Sequence, residues 1–294
     1  MLKNDKKYIF LDAWVTTEFL IVTEKAELLK NYIIDNGLTV LFSTSVLVEG
    51  YDNREKDGIP FNIRAKAIAE FVENIGYEIV NPSEVYQYEC RKLSGIYGNF
   101  PAYNFGKISP AELPLVLYRF MIRHEDFVET GTDIGEWFIG INKAKSEWES
   151  DRNNIINTAI ADGYLEISNG KCSFKSENQK MNFLISLDLR HFKDASQAQR
   201  INERYFKIMR ATHLTSCFFA YQYIESDAAF PLGKKGSDLY DHLNLSIIPY
   251  CSVMTADKTM CRLWQWVSKN EKLNYPCKVL NKDELAIEIG LPKL

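Results

Sequence analysis

Four acidic residues stand where an α/β chain would place chemistry. Asp12 closes the apolar run Tyr8-Ile9-Phe10-Leu11, and Glu49 follows Val40-Leu41-Phe42 by one helical stretch. Asp241 lies in a helix-like segment, and Asp257 closes Ser252-Val253-Met254-Thr255-Ala256. Residues just past the carboxyl ends of adjacent parallel strands meet in one crevice, the usual ligand site of an open sheet. Carboxylates crowded there repel one another unless a cation shares the space. Oxygen-only ligands suit Mg²⁺ or Mn²⁺, and such ions support two-metal-type activation of water against a phosphodiester. Asp238 and Asp241 are three residues apart, on one helical face, so either can point at the metal while the other caps the helix. The Thr255 hydroxyl can bond a carboxylate or a metal-bound water on the substrate side, and Lys234 and Lys235 immediately precede the acidic helix, placed to touch a substrate backbone.

The elements that must position these acids are legible as a rhythm. Tyr8 to Ala13 reads as a buried strand, Thr16 to Asp35 as one helix ended by Asn36-Gly37, and Leu38 to Phe42 as a second strand. Ser43-Thr44-Ser45 supplies N-cap candidates for the helix carrying Glu49. Ile63 to Ile75 is helical by pattern and Tyr77 to Val80 is a third strand, giving the alternation of a parallel α/β sheet. From residue 82 the pattern turns helical: Ser83 to Leu93, a helix opening at Ser109-Pro110-Ala111-Glu112, Asp133 to Asp162, Asn178 to Arg190 and Gln197 to Ile224. Within this stretch, residues 164 to 174 alternate around Asn169-Gly170, the signature of a hairpin. Glu70, Glu73 and Glu89 read as solvated helix positions. After Gly233-Lys234-Lys235-Gly236 come a helix to Leu245, a strand from Val253, a helix from Lys258 to Lys269, a strand from Lys278 to Leu280 and a short final helix. We therefore expect one α/β domain built from residues 1–81 and 233–294, with a mainly helical insertion at 82–232 that walls the acidic crevice.

These acids and their order resemble the PIN domain family of metal-dependent nucleases. The match lies in the strand ending in Asp12, in Glu49, in Gly236-Ser237-Asp238-Leu239-Tyr240-Asp241, and in Thr255-Ala256-Asp257, and it covers about residues 1 to 80 and 236 to 294. The resemblance implies a PIN-like three-layer fold with a central parallel sheet. It also implies catalytic carboxylates at Asp12, Glu49, Asp241 and Asp257, with Asp238 as a further ligand, Mg²⁺ or Mn²⁺ as cofactor, and RNA as the substrate of an endonuclease. Asp241-His242-Leu243-Asn244 followed by Pro249-Tyr250 is similar to the family's pattern, which favours Asp241 as the principal ligand. A haloacid-dehalogenase-type phosphatase also begins with a strand ending in Asp, but it requires a second Asp two positions on, where this chain has Trp14. The alternative from another class is a catalytically inactive PIN-like scaffold that binds a protein partner, or a second copy, through the insertion.

Composition narrows the remaining classes. With 46% hydrophobic and 25% charged residues among 294, the chain can bury a sizeable core. A net charge of −4 argues against holding nucleic acid by a global basic surface, although an acidic pocket filled by cations still attracts phosphate. Six scattered cysteines without a C-x-x-C pair disfavour a zinc cluster or a disulfide framework. No apolar run reaches membrane-spanning length, and Met1 to Lys7 leads straight into the first strand, so we expect a cytoplasmic protein without a membrane partner.

Overall fold

A computed structural model describes residues 6–44, 46, 59, 61–73, 75–103, 134–190, 203–225 and 238–292. In chain order the elements are β1 (Lys7–Phe10), α1 (Ala13–Glu18), α2 (Thr23–Asp35), β2 (Leu38–Ser43), α3 (Phe61–Val72), β3 (Tyr77–Val80), α4 (Pro82–Leu93) and β4 (Ala102–Tyr103). There follow α5 (Ile134–Ala161), β5 (Leu165–Ser168), β6 (Lys171–Phe174), α6 (Glu177–Leu189), α7 (Glu203–Ile208), α8 (Arg210–Ala220) and a π turn, Tyr221–Glu225. The chain closes with α9 (Asp238–Leu245), a 3₁₀ turn (Ile248–Tyr250), β7 (Val253–Thr255), α10 (Lys258–Asn270), β8 (Lys278–Leu280) and α11 (Lys282–Glu288). The helix expected from Ser109 lies outside the described residues.

The main sheet has the order β4-β3-β2-β1-β7-β8. Five of its strands are parallel, and β4 adds an antiparallel edge against β3. Parallel strands covered on both faces read as unbroken apolar runs, and the side-chain alternation sorts them here. Tyr8, Phe10, Leu41, Val80 and Met254 face one core with Val85, Phe218, Leu245 and Trp264. Ile9, Leu11, Val40, Phe42, Ile79 and Val253 face another with Val15, Phe19, Ile33, Phe71 and Leu285. Helices thus cover both faces of the sheet. Phe183, Leu184 and Leu187 of α6 belong to the first core, so described parts of segment 82–232 share their burial with the sheet. The hairpin forms at Asn169-Gly170, both with positive φ, as a two-residue turn of the type I′ kind requires. Among the described residues, no helix is long and apolar enough to cross a membrane.

Two helices and one side chain differ from the sequence expectation, each for a tertiary reason. The single helix over 16–35 is two, because Phe19 and Leu20 both bond back to the Val15 carbonyl and bury their side chains in the second core before the chain restarts at Thr23. The helix over 197–224 breaks at Met209 (φ −84°, ψ 46°), its first residues up to 202 lying outside the described ones. Glu89 explains the restart at Arg210. Expected in solvent, it is fully buried and its carboxylate accepts the N–H groups of Ala211 (2.8 Å) and Thr212 (2.9 Å), the Thr212 hydroxyl and the Tyr250 hydroxyl. It caps a helix from across the core. A second buried carboxylate, Asp188, accepts from Tyr205 (2.8 Å) and Ser216 (2.5 Å) and contacts His213 Nδ1 (3.1 Å), tying α6 to α7 and α8.

Two stability measurements check these roles. Glu89→Gln sets an amide donor against backbone donors, so urea unfolding at neutral pH should show a loss of about 2–4 kcal/mol; a loss near zero would show that the cap is dispensable. For His213, burial opposes the charge but the Cys217 sulfur and the Asp188 carboxylate favour it, and its pKa lies well above the ordinary 6.5. The folded state therefore binds the proton more tightly than the unfolded one. That contribution is complete below about pH 6.5 and disappears as pH rises through the folded-state pKa. Stability should fall on the alkaline side, and Asp188→Asn should flatten that slope.

Candidate functional site

β1 lies between β2 and β7, and the chain leaves it in opposite directions on the two sides, first to β2 and β3 and later to β7 and β8. That reversal opens a crevice at the carboxyl ends of β1 and β7, the general binding place of open α/β sheets. The cleft found there encloses about 210 Å³, counting space open to solvent, and is lined by Phe10, Asp12, Asp241, Asn244, Leu245, Met254, Thr255, Ala256 and Met260. Asp12 comes from the end of β1 and Asp241 from α9, the helix laid over the strand ends. Asp241 and Asn244, three residues apart, share the helical face that lines the cleft.

Each expected residue has a definite place. Asp12 Oδ1 accepts the Ala13 N–H (2.8 Å) and caps α1. Asp257 Oδ1 accepts the Met260 N–H (2.7 Å) and caps α10; the residue is exposed and is not among those lining the cleft. Thr255, expected on the substrate side, is fully buried instead. Its hydroxyl donates to the Phe10 carbonyl (3.2 Å) and accepts the Asp12 N–H (2.7 Å), so it acts on the backbone that carries Asp12. Asp238 is described only as the first residue of α9, and Glu49, Lys234 and Lys235 lie outside the described residues. Among the described residues, none that lines the cleft comes from segment 82–232, and α9 contributes Asp241, Asn244 and Leu245.

Among the described lining residues the polar side chains are carboxylate, hydroxyl and amide groups, beside the apolar Met254 and Met260 and with no His or Cys. Among the described residues no three His, Cys, Asp or Glu side chains are grouped so as to hold a metal ion. Two carboxylates nevertheless suit Mg²⁺, which takes one or two from the protein and fills its octahedron with water and phosphate oxygens. The local field is acidic. Burial pushes the Cys261 thiol up to about 12, and the Glu284, Asp257 and Asp12 carboxylates all add to that rise.

Sequence reading missed several contacts at this end of the sheet. Asn244 and Ser43 meet in a buried hydrogen bond at the edge of the cleft. Glu284 closes a capping box with Asn281 at the start of α11. At the same end of the sheet, Lys258 pairs with Asp283 (2.8 Å), and Lys282 pairs with Glu18. Both lysines follow an N-cap residue directly after a strand, a local signal that could have marked them.

Thr255→Val keeps the shape and leaves the Asp12 N–H without its acceptor, so it should cost about 1–3 kcal/mol in chemical unfolding, with Thr255→Ser recovering most of it. Equal stability of the Val variant would show that the hydroxyl does not hold the strand end. No protein-family model matches the chain, and no curated protein or solved structure is significantly similar to it.

Proposed function

We propose that the cleft between Asp12 and Asp241 binds Mg²⁺ or Mn²⁺ and hydrolyses phosphodiester bonds in RNA, in the manner of a PIN-like nuclease. The observation that carries this reading is that two carboxylates from distant parts of the chain line one crevice at the switch point of a parallel sheet. Asp12 and Asp241 would hold the cation. A bound divalent cation makes water nucleophilic near neutral pH and offsets charge on the phosphoryl oxygens. Lys258 and Lys282 would supply positive charge for the nucleic-acid backbone at this end of the sheet. RNA as the substrate rests on the resemblance in the four acidic motifs.

A second reading, a PIN-like scaffold that binds a protein partner or another copy through segment 82–232, draws on a different observation. Asp12 and Asp257 each cap a helix, a role that needs no metal. One pair of measurements separates the two. Mn²⁺ at about 100 times its Kd stabilises a protein by ~2.7 kcal/mol, which moves the Tm of a chain of this size by roughly 5 °C. Asn caps a helix as well as Asp does, so Asp12→Asn removes the charge and keeps the cap. For a nuclease, the Asn variants at 12 and 241 keep the metal-free Tm, lose the Mn²⁺ shift, and cleave single-stranded RNA more slowly by at least about 100-fold, the upper end of what loss of an outer-shell group causes. A wild-type protein whose Tm ignores millimolar Mn²⁺ would leave the scaffold reading standing.

A further inference from the structure

Ser43 is the last residue of β2 and is completely buried. Its hydroxyl accepts the Val46 N–H (3.0 Å), which makes it the cap of the turn that follows, and donates its single proton to Asn244 Oδ1 (2.7 Å). The bond joins positions 201 apart in sequence, and both partners are withdrawn from water. Asn244 is one turn along α9 from Asp241, and both line the cleft with Asp12.

We infer that Ser43 and Asn244 form a positioning strut for this site, an inference that rests on the metal-binding reading above. Packing and this bond both hold α9 against the rest of the fold. Leu245 anchors its apolar side in the first core beside Phe218 and Met254. Apolar packing is non-directional. A hydrogen bond between two buried side chains is directional and costly to break, and it sets how far along the strand ends the helix can slide or roll. Because Asp241 shares the helical face of Asn244, the strut sets the carboxylate's distance from Asp12.

Two variants test this: Ser43→Ala breaks the strut, and Ser43→Thr retains a hydroxyl. The readouts are Mn²⁺ affinity by calorimetry and hydrogen exchange across residues 238–245. The strut predicts at least a 10-fold weaker Mn²⁺ Kd for Ser43→Ala, faster exchange confined to α9, and recovery of both in Ser43→Thr. Unchanged Mn²⁺ affinity and unchanged exchange in Ser43→Ala would overturn the strut and leave the metal site intact. If wild type binds no Mn²⁺, the metal reading fails by itself. Exchange then decides the strut: selective loosening of α9 in Ser43→Ala supports it, and unaltered exchange overturns it.

Discussion

β1 is desolvated on both faces, with Ile9, Phe10 and Leu11 exposing nothing to water. A buried backbone must find protein partners for every N–H and C=O, and β1 finds them in two parallel neighbours, β2 and β7. The ladder to β7 pairs Ile9 with Val253 and Phe10 with Met254. Beyond that pair, the Thr255 hydroxyl takes over, serving the Phe10 carbonyl and the Asp12 N–H. The placement of Asp12 is therefore a consequence of how the sheet terminates. A carboxylate two residues past the end of this strand emerges at the sheet's end, where the reversal of strand order has opened the crevice.

The same strand ends supply two services from one residue type. A helix must begin directly after each parallel strand, its first N–H groups need acceptors, and Asp supplies them. Asp12 and Asp257 both do so through one oxygen. A negative charge at a helix start is also favoured by the helix dipole, which lowers the cost of keeping carboxylates ionised at one end of the sheet. Acid accumulates there for structural reasons, and a cation site can be built on that background. This is why the charge-removing, cap-preserving exchange of Asp for Asn is the informative one.

Away from the crevice, buried carboxylates do a different job. Glu89 and Asp188 hold helix starts and helix pairs in the core that also receives one face of the sheet. Glu89 reaches both the start of α8 and Tyr250, in the 3₁₀ turn that leads to β7. Segment 82–232 is thereby linked to the strand that carries Thr255. Leaving one of these carboxylates without its donors would expose a buried charge to an apolar surround, which is far more costly than losing one surface ion pair.

The sequence alone determined what depends on neighbours along the chain. Short, largely apolar runs marked β1, β2 and β3, Asn169-Gly170 marked the hairpin, and the acids after Leu11 and Ala256 were legible as strand-end residues that either cap or ligate. Tertiary structure decided everything that depends on which elements meet. It placed β7 beside β1, so that Thr255 reaches Asp12 from 243 positions away. It brought Asn244 to Ser43, and Asp241 into one cleft with Asp12. Glu89 shows the limit most plainly, because on its own helix it reads as one more charged surface position, between Tyr88 and Cys90. Only the approach of α8 supplies the donors that make its burial tolerable, and no periodicity in the sequence encodes a hydrogen bond between residues 122 positions apart.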